Sequence, residues 1–152
     1  MTEGDAIPDL TLTGAAGPVR LVDYRGKPFV LYFYPKDDTP GCTREAQAFS
    51  ALIGDFEAAG VALLGVSKDS PAKHAKFAAK HGLSVPLASD DEDGTVLQAF
   101  GAWVEKSLYG KKYMGIDRST FLFDADGTLV RAWRKVKVPG HAEAVLAAAK
   151  AL

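Results

Sequence analysis

Cys42 is the only cysteine in the chain, and the three residues before it are Thr39, Pro40 and Gly41. A residue before proline is pushed toward extended geometry, whereas proline suits the first helical position, where its missing N–H costs nothing. Thr39 is therefore expected as an N-cap and Cys42 as the third residue of a helix. There the sulfur would meet unpaired backbone N–H groups and the positive end of the helix dipole. Such surroundings favour thiolate over thiol: a free cysteine titrates near ~8.5, and helix N-termini or cations bring it to roughly 3.5–7.5. The thiolate is the nucleophile. The Thr39 hydroxyl lies within reach of the Cys42 N–H, the sulfur or a substrate oxygen, and Gly41 keeps side-chain bulk off the approach. The opposing reading is a packed, inert sulfur, since unpaired cysteines are among the most buried residue types.

The elements that must position this segment follow from periodicity. Cys42, Ala46, Phe49, Ile53 and Phe56 recur at spacings of three and four, so one helix is expected from Pro40 to a stop at Gly60. That stripe puts the sulfur at the end of the buried face, recessed in a pocket. The apolar runs 28–34 and 61–67 read as strands buried on both faces. The first delivers the chain to the cysteine at the sheet's carboxyl edge, where open α/β sheets bind ligands. Ser70 and Pro71 open a helix that Gly82 ends after His81. A short strand near 86–89, a short helix near 95–100, a hairpin turning at Ala125-Asp126-Gly127 and a last helix over 141–152 complete the order. Alternating β and α elements followed by a hairpin imply a mixed central sheet flanked by helices. This is the connectivity of an α/β, thioredoxin-like fold with insertions, in one domain spanning 1–152.

Other features carry less chemistry. His74, His81 and His141 are not spaced for shared ligation, and surface or capping roles are expected for them. With one cysteine, a zinc site of four cysteine and histidine ligands cannot be assembled around Cys42, nor an internal disulfide, and no metal or cofactor is expected. The acidic run 89–94 reads as a solvated loop entering a helix N-terminus. Segment 105–115, basic and punctuated by glycine, reads as a mobile loop, with core packing the default for Trp103, Tyr109 and Tyr113. Arg131, Arg134, Lys135 and Lys137 mark a wet face of the last hairpin.

Composition narrows the classes further. Apolar residues make up 47% and charged residues 24%, an ordinary globular balance, and the net charge of −1 argues against nucleic acid and anionic lipid as partners. At 152 residues one core is expected to bury roughly 68–70% of the unfolded surface. The first ten residues lack the cationic and apolar regions of a signal peptide, and no run is long enough for a membrane span. A soluble, cytoplasmic protein is expected.

Taken with longer motifs, the chain resembles the peroxiredoxins, and within them the bacterioferritin-comigratory-protein or PrxQ subfamily. The motif Pro, three residues, Thr or Ser, two residues, Cys stands here as Pro35-KDD-Thr39-PG-Cys42. The likeness extends over GDAIPDLTL, YFYPKDDTPGCTREA, GVSKDSPAKHAKF, YGKKYMGIDRSTFLFDADG and VKVPGHAEAVL. It implies a thioredoxin-like fold and thiol-dependent reduction of hydrogen peroxide and organic hydroperoxides. Cys42 is the implied peroxidatic cysteine, Thr39 its hydroxyl partner and Arg118 the stabilising guanidinium. Glu45 is implied to hold the arginine, and Pro35 to shield the sulfur pocket. The chain departs from the subfamily where many members carry a resolving cysteine five residues after the first: Gln47 occupies that position, and no other cysteine exists. An external thiol reductant (thioredoxin, glutaredoxin or glutathione) is therefore the expected partner of a Cys42 sulfenic acid. The alternative is a redox sensor or relay that passes oxidation to another protein. The resemblance implies a monomer, with a dimer as the alternative.

Overall fold

The computed structural model describes all 152 residues. An N-terminal hairpin comes first, β1 (Thr11–Gly14) and β2 (Gly17–Arg20), followed by β3 (Phe29–Phe33), α1 (Pro40–Ala51), α2 (Ile53–Ala58) and β4 (Ala62–Ser67). The chain continues through α3 (Pro71–His81), β5 (Leu87–Ser89), α4 (Thr95–Ala99), β6 (Trp103–Leu108) and β7 (Lys111–Ile116). It ends with β8 (Ser119–Phe123), β9 (Leu129–Trp133) and α5 (His141–Lys150). Seven strands form one sheet in the order β2-β1-β5-β4-β3-β8-β9, and β6 and β7 form a separate ribbon. The β3–β4 and β4–β5 pairs are parallel, whereas β8 lies antiparallel to β3, so the sheet is mixed as expected.

Alternation along β3 builds two cores. Leu31 and Phe33 pack with Leu64, Val66, Phe100, Phe121 and Phe123 on one face. Val30, Tyr32 and Tyr34 pack with Cys42, Phe49, Leu63, Phe77 and Val145 on the other. Side chains of successive strand residues point to opposite faces, which is why one strand serves both. Tyr32 pairs in register with Gly65 on β4, and a Cβ at Gly65 would come 2.5 Å from the Tyr32 ring. Glycine there makes room for a buried tyrosine under the cysteine helix.

Several expectations are corrected. The helix after Cys42 does not run unbroken to Gly60: it interrupts at Leu52 (φ −100°, ψ 3°), which ends α1 and starts α2. Segment 105–115 is not a loop but most of the β6–β7 hairpin, turned by Tyr109 and Gly110, both with positive φ. Its tip is exposed, so core packing fails for Tyr109 (97% exposed) and Tyr113 (48%), while Trp103 packs against the first core. Within the acidic run, Asp90 is buried and accepts hydrogen bonds from the Val96 and Leu97 N–H groups at the start of α4. The helix opened by Ser70 and Pro71 is as expected, with the Ser70 hydroxyl accepting from the Lys73 N–H and Gly82 left-handed at the end. No helix is long and apolar enough to cross a membrane.

Candidate active site

The carboxyl end of β3 hands the chain to a short loop, residues 34–39, and then to α1, whose third residue is Cys42. Thr39 takes the extended geometry that a following proline demands (φ −97°, ψ 153°), and its carbonyl accepts the first helical bond from the Thr43 N–H at 2.8 Å. Its side chain departs from the expected cap: the hydroxyl donates to the Lys36 carbonyl at 2.8 Å and makes no bond to the helix. The N–H groups of Gly41 and Cys42 consequently donate to no protein acceptor. Two backbone donors and the positive helix end thus stand beside the sulfur, an arrangement suited to negative charge.

Cys42 is 2% exposed, in the second core with Tyr32, Ala46 and Phe49. It is not walled in by hydrocarbon alone. Arg118, in the link between β7 and β8, donates from Nη2 to the Cys42 sulfur at 3.4 Å and from Nη1 to Glu45 Oε1 at 2.7 Å. Gly41 permits this approach, since a Cβ there would lie 3.2 Å from Nη2. The glycine therefore clears space for the guanidinium, where the sequence had indicated only clear access to the sulfur. Pro35 sits half-buried in the loop after Tyr34.

The electrostatics follow from burial and from one shared cation. Burial pushes the Glu45 carboxyl up to about 7, against the opposing pull of the Arg118 charge and hydrogen bond. Burial alone would lower the Arg118 pKa, but Glu45 and Cys42 outweigh it and raise it, so the guanidinium stays charged. Glu45 Oε2 and the hydroxyl of Tyr32, both buried, make no hydrogen bond within the chain. Burial, then the Glu45 charge, pushes the Tyr32 hydroxyl far above its usual range, so it stays neutral. His141 opens α5, with Nε2 2.8 Å from the Thr120 hydroxyl; burial and then the Arg118 charge lower its pKa to about 4.

The site brings together Cys42, Arg118, Glu45 and Gly41, with Thr39 one turn before the sulfur. Surface or capping roles for the histidines are contradicted for two of the three: His74 and His141 are buried, 5% and 7% exposed. His81 is partly exposed and pairs with Asp38 at 2.7 Å. Sequence reasoning missed the pair Asp37 and His74, whose ring Nδ1 lies 2.6 Å from Asp37 Oδ2. The available signal was an aspartate pair inside the cysteine motif and a histidine on the buried stripe of α3 with Phe77. No group of three or more histidine, cysteine or carboxylate side chains converges as a metal site. The chemistry on offer is nucleophilic attack by sulfur beside a fixed cation and free amide donors that stabilise charge on a departing oxygen.

Comparison with known proteins agrees with this chemistry. Residues 3–132 match the AhpC/TSA family. Peroxiredoxin Bcp of Xanthomonas campestris is 51% identical over 144 residues, 94% of this chain and 89% of the relative. Peroxiredoxin Bcp of Bacillus subtilis is 51% identical over 139 residues, 91% of this chain and 88% of the relative. Among solved structures, a Peroxiredoxin Q of Xanthomonas campestris has a TM-score of 0.90 at 49% identity, covering 98% of this chain and 97% of its own. A cysteine-to-serine mutant of Xylella fastidiosa PrxQ has a TM-score of 0.92 at 43% identity, covering 99% of this chain and 96% of its own. The Xanthomonas protein is also solved as mutants at two different cysteines, so it has at least two where this chain has one. With a fold, a sulfur site and this degree of identity in agreement, the chain belongs to the AhpC/TSA family and, within it, to the Bcp and PrxQ peroxiredoxins.

Proposed function

We propose that this thiol-dependent peroxidase turns over with Cys42 as its only redox residue, in a one-cysteine cycle. The Cys42 thiolate attacks the terminal oxygen of a hydroperoxide in line with the O–O bond. The S–O bond forms as O–O breaks, two electrons pass from sulfur, and the leaving hydroxide or alkoxide takes a proton from solvent. Arg118 stabilises both the thiolate and the charge growing on the leaving oxygen, and the Gly41 and Cys42 amides orient the peroxide. Thr39, its hydroxyl proton engaged by Lys36, offers lone pairs to the hydroperoxide O–H. Glu45 fixes the guanidinium, and Pro35 shields the sulfur from water.

The observation that carries the reading is the 3.4 Å contact between Arg118 and the lone sulfur at a helix start. Because the chain holds no second cysteine, the Cys42 sulfenic acid condenses with an external thiol, releasing water. A second external thiol then attacks the mixed disulfide, leaving reduced Cys42 and an oxidised reductant. Thioredoxin, glutaredoxin and glutathione all have this chemistry. We read residues 1–152 as one domain, monomeric and working in the cytoplasmic thiol pool. The sensor or relay alternative is not favoured, since the relatives are named as peroxiredoxins.

Purified protein with dithiothreitol is expected to consume hydrogen peroxide and an alkyl hydroperoxide, and Cys42→Ser to abolish consumption. Normal turnover by the serine variant would defeat the assignment. A quantitative Cys42-linked dimer after one equivalent of peroxide would replace the external-thiol step, although a sulfur 2% exposed speaks against it.

A further inference from the structure

The loop between β3 and α1 is bound to α3 at two successive residues. Asp37, 8% exposed, receives the Tyr34 hydroxyl on Oδ1 at 2.5 Å and faces His74 Nδ1 with Oδ2 at 2.6 Å. The Asp37 N–H donates to Asp69 Oδ2 at 2.8 Å, and the Ser67 hydroxyl donates to the same oxygen at 2.8 Å. His74 Nε2 lies 3.0 Å from the Ala88 carbonyl on β5. The next residue, Asp38, holds a left-handed φ of 59° while its carboxylate accepts from Lys80 and His81, each at 2.7 Å. Thr39 and Cys42 follow directly.

Hydrogen counting defines this cluster. The Ala88 carbonyl can only accept, so Nε2 carries a hydrogen. Nδ1 faces a carboxylate oxygen, so one further proton lies between the two, whichever of them carries it. Asp37 and His74 are thus joined by a buried hydrogen bond, with the Tyr34 hydroxyl 3.3 Å from the same ring nitrogen, and breaking it would leave buried polar atoms short of partners, which is costly. The pair ties together β3, the cysteine loop, α3 and β5, yet none of its atoms is placed among the groups that touch the peroxide.

We propose that Asp37 and His74 are positioning residues: their shared proton clamps the loop before Cys42 and sets how readily thiol-sized reagents reach the sulfur. The inference rests on the one-cysteine reading above, because an external thiol must reach a sulfur that is only 2% exposed. A hydroperoxide is small and benefits from the closed loop, which holds Thr39 and the free amides in place. A thiol or disulfide is larger and needs the loop displaced. The clamp therefore favours oxidation of Cys42 and opposes its reaction with bulky sulfur reagents.

The test measures both arms in Asp37→Ala and Asp37→Asn. For Asp37→Ala, the reduced enzyme is expected to react with a bulky aromatic disulfide roughly ten-fold faster or more, and with hydrogen peroxide roughly ten-fold slower, as a buried charge-assisted bond is lost. Asp37→Asn is expected to restore both rates to within about three-fold of wild type, because the amide N–H can donate to Nδ1 of a neutral His74 in place of the shared proton. General destabilisation would slow peroxide reaction without rescue by asparagine. Asp37→Ala protein that melts cooperatively yet shows unchanged access to the disulfide overturns the proposal, as does an asparagine variant no better than alanine. Should Asp37→Ala not fold, Asp38→Ala removes the exposed half of the anchor, and about a two-fold gain in disulfide access is expected; no gain overturns it. Failure of the wild type to consume peroxide would instead defeat the peroxidase reading, while the disulfide arm still judged the clamp.

Discussion

The two faces of the central sheet are built for different ends. On the face covered by α4, Leu31, Phe33, Phe100, Phe121 and Phe123 form a core of hydrocarbon, and its one buried carboxylate, Asp90, is spent capping α4. On the face covered by α1, α3 and α5, the core includes a thiol and two tyrosines, and buried Glu45, His74 and His141 enter it from those helices. Hydrocarbon packing is close to free of charge-state constraints, whereas each buried titratable group imposes desolvation that a partner must offset. The chain therefore builds an apolar core on both faces and concentrates its costly groups on one of them. Arg118 is the cation that two of those costs share.

The largest expected effect that separates the faces is on stability. Phe100, which packs its ring against Phe33, Phe121 and Phe123, is expected to cost about 3–5 kcal/mol when replaced by alanine, as large buried aromatics do. Denaturant melts would measure this, and the oxidation rate of Cys42 in the folded fraction should not change. A proportionate loss of that rate would mean that the two faces are coupled.

Smaller, but more diagnostic, is the pH dependence of stability on the chemical face. Glu45 has a folded pKa near 7 against an ordinary 4.5, so the folded state holds its proton longer and this contribution is full below pH 4.5 and lost as pH rises toward 7. His141 is the opposite case: lowered from 6.5 to about 4, it destabilises the fold in acid, and stability rises as pH climbs from 4 to 6.5. Between pH 4.5 and 6.5 the two trends oppose each other. Glu45→Gln is expected to leave a net rise in melting temperature across that window, and His141→Gln a net fall. Matching profiles for the two variants would contradict the assignment.

The smallest effect is expected at the β6–β7 tip, which belongs to neither core. Tyr109→Ser should shift stability by less than about 0.5 kcal/mol, as surface changes usually do. A larger shift in the melting curve would show that the tip of the ribbon packs against more than itself.

What the sequence makes legible divides along similar lines. The strands β3 and β4, the α3 helix and the final hairpin are readable because their apolar runs and their Ser70, Pro71, Gly82 and Gly127 punctuation agree. The cysteine's helical position follows from Pro40 alone. Four-residue strands such as β1 and β2 carry too little alternation to announce themselves, and the lysines of β6–β7 disguise a hairpin as a loop. The Thr39 hydroxyl was expected to cap α1, but its own loop offers the nearer Lys36 carbonyl. Pairings across the fold are the least legible: Asp37 and His74 meet only because β3 and α3 are brought together by the parallel β3–β4–β5 sheet. Arg118 reached the site through family resemblance, since nothing in its local spacing marks it out.

The central claim is that the guanidinium of Arg118 turns a recessed sulfur into a peroxide-reducing nucleophile. Rapid-mixing measurement of the first oxidation of reduced Cys42 by hydrogen peroxide, in wild type and in Arg118→Met, tests it directly. The account predicts a loss of roughly 10²–10³ in the second-order rate constant, the scale seen when one preorganised donor to a developing anion is removed. Equal rates in the two folded proteins would contradict it.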